Sequence, residues 1–145
     1  MGMILILLSI IGVWYYKSKA TASRAEKIQK LQKEALANLR RAERERERAI
    51  SYYIRASENY TKILNLDPHN LQGLRGKFEC ILKLASHAAN VLHDYKFAET
   101  MYDIAAQMGV DTQRVYAAKK SLKKRESEEE EKVREIMEMI FQYLE

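Results

Sequence analysis

From Thr21 to Leu66 the chain has neither proline nor glycine, and its residues are mostly Ala, Leu, Lys, Glu, Arg and Gln. Such a stretch has little choice but helix, since these residues lose least on entering one. Within it Ile28, Ala35, Ala42, Ala49, Ala56 and Ile63 recur every seven residues, with Leu31, Leu39, Tyr53 and Tyr60 on adjoining positions. The spacing predicts one long helix with a single narrow apolar stripe, small enough at its alanines to let another helix approach closely. We expect that stripe to be a stalk or a docking seam for a partner helix, weakest where residues 40–48 alternate Arg and Glu.

The sixteen residues before Lys17 carry no charged side chain, and Lys17, Lys19, Arg24, Lys27, Lys30 and Lys33 follow at once. The run is short against the roughly 20 residues a spanning helix needs. Trp14, Tyr15 and Tyr16 stand where an aromatic belt belongs, and Lys17 and Lys19 can snorkel toward headgroups. The expectation is a single transmembrane anchor over residues 1–19, with the lipid bilayer as partner of residues 1–16. A cleaved signal peptide is disfavoured because the basic n-region is missing, and myristoylation because Gly2 lacks the Ser or Thr that should follow. Residues 17–48 hold 11 Lys and Arg against 5 acidic residues, a net of +6 that leaves −1 for the remainder. By the positive-inside rule the N-terminus would lie outside and the body in the cytosol or the mitochondrial matrix.

Pro68 ends the long helix, with Asp67 biased away from helix before it. Asn70 can cap a second helix carrying Leu74, Phe78, Ile81, Leu82, Ala85, Ala88 and Leu92 at helical spacing, and Gly73 and Gly76 either weaken its start or permit close packing. After a turn at His93-Asp94, residues 95–108 read as another helix, with Phe97, Ala98, Met101, Tyr102, Ile104, Ala105 and Met108 inward. Gly109 is a natural stop and Asp111 a natural cap for a last helix over 112–144. That helix is charged between Lys119 and Lys132, a solvated stretch, and ends in the stripe Val133, Ile136, Met137, Ile140, Phe141 and Leu144. The fold class is therefore all-α. The expected divisions are the anchor (1–19), a charged juxtamembrane helix (20–48), a helical core (49–110) and a long C-terminal helix (111–145).

The segment Ala56-Ser57-Glu58-Asn59-Tyr60-Thr61-Lys62-Ile63-Leu64-Asn65-Leu66-Asp67-Pro68 resembles the second half of a tetratricopeptide repeat, and Ala98, Tyr102 and Ala105 repeat its small–aromatic–apolar spacing. Ala56 and Ala98 are 42 residues apart where the family period is about 34, which implies an insertion of about eight residues near 85–94. Val110 stands where a second Pro would be, and the helix preceding Ala56 lacks the family's apolar residues. The resemblance covers residues 49–110 and implies a short helical-hairpin array. It also implies a concave face with Gln72, Arg75, Glu79, Leu82 and Lys83 toward a ligand, although the paired Lys and Asn that hold a C-terminal carboxylate in some members are missing.

Chemistry-bearing patterns are sparse. His69, His87 and His93 lack metal-ligand spacing, so no metal or cofactor is expected. Cys80 is the only cysteine and reads as a buried core thiol, and five glycines form no phosphate loop. The Arg–Glu alternation over 40–48 cuts the field that phosphates would feel and carries no interleaved aromatics, which argues against nucleic acid as a partner. The composition points away from an enzyme and from small-molecule substrates. It fits a scaffold, an accessory or assembly subunit of a larger membrane complex binding other protein subunits through 133–144. The alternative is a receptor that takes transient peptides in the groove near Arg75 and Leu82, like the anchored tetratricopeptide receptors of mitochondria.

Overall fold

The computed structural model describes the backbone of residues 2–144 and the side chains of residues 5–144. Every element in it is helical: α1 (Gly2–Arg44), a short 3-10 turn (Arg46–Arg48), α2 (Ala49–Leu66), α3 (Leu71–Asn90), α4 (Tyr95–Gln107) and α5 (Thr112–Leu144). Each α-helix packs on the next in sequence, and the short connections make neighbours antiparallel. The caps at Asn70 and Asp111 fall where the sequence places them, and Asp94, read from sequence only as part of a turn, caps α4. Asn70 Oδ1 accepts from Gly73 N at 2.7 Å, Asp94 Oδ1 from Phe97 N at 3.0 Å, and Asp111 Oδ1 from Arg114 N at 3.0 Å. Gly109 takes the left-handed φ of +68° that a helix stop favours.

The long helix expected from Thr21 to Leu66 does not run through. It breaks at Glu45, whose φ of −110° and ψ of 78° leave the helical region, and the chain folds back through the 3-10 turn into α2. No Pro or Gly is involved. The cause is the stripe itself, whose two halves are near mirror images: Ile28, Ala35 and Ala42 on α1 meet Ala49, Ala56 and Ile63 on α2. Ala35, Ala42, Ala49 and Ala56 are all at most 2% exposed, so the seam expected to dock a foreign helix is filled by the same chain. The Tyr52 hydroxyl donates to Glu45 Oε2 at 3.1 Å and braces the reversal, while the Arg55 guanidinium lies 5.7 Å from the Tyr52 ring centre. Residues 28–42 thus supply the apolar pairing face that the sequence comparison found missing before Ala56. Residues 20–48 are accordingly no separate juxtamembrane unit, since their second half is part of the core.

The α2–α3 contact is set by size. Ile63 is fully buried, and a Cβ on Gly73 would come within 3.0 Å of its Cγ2. The glycines of α3 therefore permit close packing. A second core gathers Phe78, Ile81, Ala85, Ala88 and Ala89 of α3 with Ala98, Tyr102 and Ala105 of α4 and Val115 and Leu122 of α5. Ile104, expected inward, is 39% exposed. In the stretch 85–94, where about eight extra residues were expected, α3 continues to Asn90 for a length of 20 residues and a short turn leads to α4.

The expected membrane crossing is not supported. Among the described residues no helix is long and apolar enough to cross a membrane. The uncharged part of α1, from Gly2 to Tyr16, makes about 22 Å of helix against a hydrocarbon core of about 30 Å, and it ends in Trp14, Tyr15 and Tyr16 before Lys17 and Lys19. The assignment of a single-pass protein with its N-terminus outside falls with it, because the positive-inside rule orients spanning helices only. Met1 and Glu145, at the ends of the expected anchor and C-terminal helix, lie outside the described residues. What the structure does show is projection. At 1.5 Å per residue α1 is about 65 Å long and α2 about 27 Å, so α1 reaches far beyond its partner with residues 5–27 exposed.

Candidate docking surfaces

Two surfaces are expected from sequence, on α3 and on the end of α5. On α3, Gln72, Arg75, Glu79 and Lys83 share one helix face, as their spacing requires. Three of them are already engaged within the chain. Gln72 Oε1 accepts from Gln32 Nε2 of α1 at 2.7 Å, and Lys83 Nζ pairs with Glu43 Oε1 of α1 at 3.2 Å. The Glu79 carboxylate receives both guanidinium nitrogens of Arg114 on α5, Nη2 at 3.1 Å and Nη1 closer still. Leu82 is 7% exposed and belongs to the core, which corrects its placement toward a ligand. Of the five residues only Arg75 is exposed and engaged in none of the observed hydrogen bonds or ion pairs. Polar lacing among α1, α3 and α5 thus fills the face on which a peptide was expected, and each exposed pair adds little to stability.

The end of α5 is different. Its first half is tied down: Val115 and Leu122 are buried, Lys119 pairs with Asp103, and the Arg125 guanidinium donates to Asn90 Oδ1 at the end of α3. The charged stretch is therefore fastened to the core along one side and is solvated only on the other. The last anchor is Glu129, whose Oε1 lies 3.1 Å from His93 Nδ1 in the α3–α4 turn. The Tyr95 hydroxyl holds the Glu129 carboxyl below its ordinary range, with His93 adding to the effect and partial burial opposing it. That hydroxyl sits close to Glu129 without the geometry of a regular hydrogen bond.

Beyond Glu129 the helix projects past the core for fifteen residues, about 22 Å. Val133, Ile136, Met137, Ile140 and Phe141 are each 50–60% exposed and Leu144 76%, so the stripe expected to bind a partner stands uncovered. A groove of about 660 Å³ lies between it and the α3–α4 turn. Its apolar walls are Val133, Met137 and Phe141 facing Tyr95, and its rim carries Glu126, Glu129, Glu130 and Glu138 against the single Arg134. Sequence reasoning missed the other wall, His93 and Tyr95. The signal was present, for Leu122, Glu126, Glu129 and Val133 continue one helix face into the charged run.

Cys80 is 1% exposed, and burial pushes its thiol up to about 12, with Lys83 opposing and Glu79 reinforcing. His69 and His93 are exposed, and His87 packs edge-on to Tyr53 with ring centres 6.3 Å apart. Among the described residues no group of three or more His, Cys, Asp or Glu could hold a metal ion. Comparison with protein-family models, curated proteins and solved structures gives no match to this chain.

Proposed function

We propose that this chain is a non-enzymatic helical scaffold, an accessory or assembly subunit of a larger complex that works through protein–protein contacts at the projecting end of α5. The observation that carries this reading is the uncovered stripe of Val133, Ile136, Met137, Ile140 and Phe141 on a helix whose first half is fastened to the core. A helical stripe of this width is normally buried against something. The tetratricopeptide-like spacing of Ala56, Tyr60 and Ile63 and of Ala98, Tyr102 and Ala105 supports a place among helical-hairpin adaptors, since these residues lie buried between paired helices. Peptide capture on α3 is the weaker reading, because Gln72, Glu79 and Lys83 are spent on α1 and α5.

The test is the size of the native particle. Extracted mildly and run on a native gel, the tagged chain should migrate in a stoichiometric assembly. Ile136→Asp with Ile140→Asp should shift it to a small particle while the melting curve stays unchanged. Retention of the full assembly by the double variant would sink the reading.

A further inference from the structure

We infer that the free end of α1 enters one leaflet of an anionic lipid bilayer without crossing it, with residues 5–13 among acyl chains, Trp14, Tyr15 and Tyr16 at the interface, and Lys17, Lys19 and Arg24 against headgroup phosphates. The inference goes beyond the scaffold reading, which rests on α5.

The direction in which polarity changes carries it. At the end of α5 polar and apolar residues are divided around the helix axis, the pattern of a helix laid against another surface. On α1 they are divided along the axis. Leu5, Ile6, Leu7 and Leu8 are consecutive, so they point about 100° apart around the helix, and each is 55–67% exposed. The one polar side chain among residues 5–13, Ser9, donates its hydroxyl to Ile6 O at 2.8 Å and so needs no partner. A groove on another protein covers one side of such a helix and leaves the others wet, whereas lipid covers all of them. Trp14, Tyr15 and Tyr16 follow, all exposed. Residues 17–27 then hold Lys17, Lys19, Arg24 and Lys27 against Glu26 alone, and among the described residues no ion pair engages these cations. Apolar, aromatic and cationic zones thus come in the order of acyl chain, interface and phosphate.

Length sets the depth. The uncharged helix of about 22 Å exceeds one leaflet, about 15 Å of hydrocarbon, and falls short of two, so it enters obliquely and stops. From Tyr16 to Ile28, where α1 begins to pack on the core, the exposed helix runs about 18 Å more. The Gln32–Gln72 and Lys83–Glu43 bonds run α1 parallel to α3, with its free end leaving at the start of α3. The Arg125–Asn90 bond sends the end of α5 past the opposite end of α3. A chain held in the leaflet therefore presents the α5 groove on its far side.

The test uses the full chain, in which Trp14 is the only tryptophan and reports this site alone. With vesicles of phosphatidylcholine and phosphatidylglycerol in equal parts it should float, and Trp14 emission should shift to the blue. Lys17→Gln with Lys19→Gln should weaken that binding about ten-fold, and phosphatidylcholine alone should bind about as weakly. Both side chains are exposed, so the melting curve should not move. Depth separates insertion from surface contact. In Trp14→Phe with Leu5→Trp, a nitroxide deep in the acyl chains should quench more than one near the headgroups, and for native Trp14 the order should reverse. A reporter at position 5 as shallow as Trp14 overturns the insertion, whether the helix lies flat or crosses. Equal binding to both vesicle types overturns the phosphate contact. So does a chain that ignores anionic vesicles and buries Trp14 in a co-purifying protein. Flotation lost while Ile136 and Ile140 still hold the native assembly would overturn this inference and leave the scaffold reading standing.

Discussion

The ring of Tyr60 occupies the space a side chain at position 76 would need: a Cβ built on Gly76 would stand 2.3 Å from Tyr60 Cε1. The first hairpin and α3 are locked together by that exchange of a large aromatic for no side chain at all.

Gly76→Ala sets two effects against each other. Helix propensity favours alanine by about 1 kcal/mol, whereas overpacking costs about 1–3 kcal/mol, and at 2.3 Å from a buried ring the clash should win. The variant should unfold at lower urea concentration than the wild type. Gly12→Ala, with nothing within 4 Å, should lose no stability.

The middle of the α1–α2 seam packs alanine on alanine. Ala56 is fully buried there, so Ala56→Leu should cost about 1–3 kcal/mol, while Ala37→Leu on the exposed side of α1 should stay within about 0.5 kcal/mol. Chemical denaturation of the two variants reads the difference.

Asn59 is 7% exposed on α2, and its amide nitrogen has no hydrogen-bond partner. A buried unmade donor costs about 1–3 kcal/mol, so Asn59→Leu, close in volume, should raise the melting temperature. A lower one would mean that the amide has a partner in solution.

Burial holds the Cys80 thiol at about 12, so it stays protonated at neutral pH and shielded from reagent. The native protein should leave a disulfide-exchange reagent unconsumed over minutes and consume one equivalent in concentrated urea.

Glu129 titrates below its ordinary range in the folded chain, so its contribution is present above the unfolded pKa and is lost as pH falls through the folded one. The gap in urea midpoint between wild type and Glu129→Gln should therefore be widest near neutrality and close in acid.

The sequence made the elements after Pro68 legible because local chemistry decides them: Asn70 and Asp111 cap, Gly109 stops, and apolar spacing marks most of each inner face. The reversal at Glu45 was hidden for a physical reason. An unbroken stripe of Ile28, Ala35, Ala42, Ala49, Ala56 and Ile63 serves one long helix with an outside partner or two short ones with each other, and periodicity is the same for both. Only the close fit of alanine on alanine, a tertiary property, selects the hairpin. The face of α3 was found correctly as a face, yet nothing in its own residues told that Gln32, Glu43 and Arg114 from distant positions would occupy it. On α5 the exposed stripe was legible, but its acidic groove needed the α3–α4 turn, which only the fold brings alongside.

Contacts that run mainly from each helix to the next, and otherwise to the helix after it, have a kinetic meaning. Most of the assembly joins neighbouring helices, so the search is largely a succession of short loop closures, the regime in which helical proteins fold within microseconds to milliseconds. The first of these closures, around Glu45, joins residues that leave the ribosome early, and the hairpin it makes can form before α5 has been synthesised.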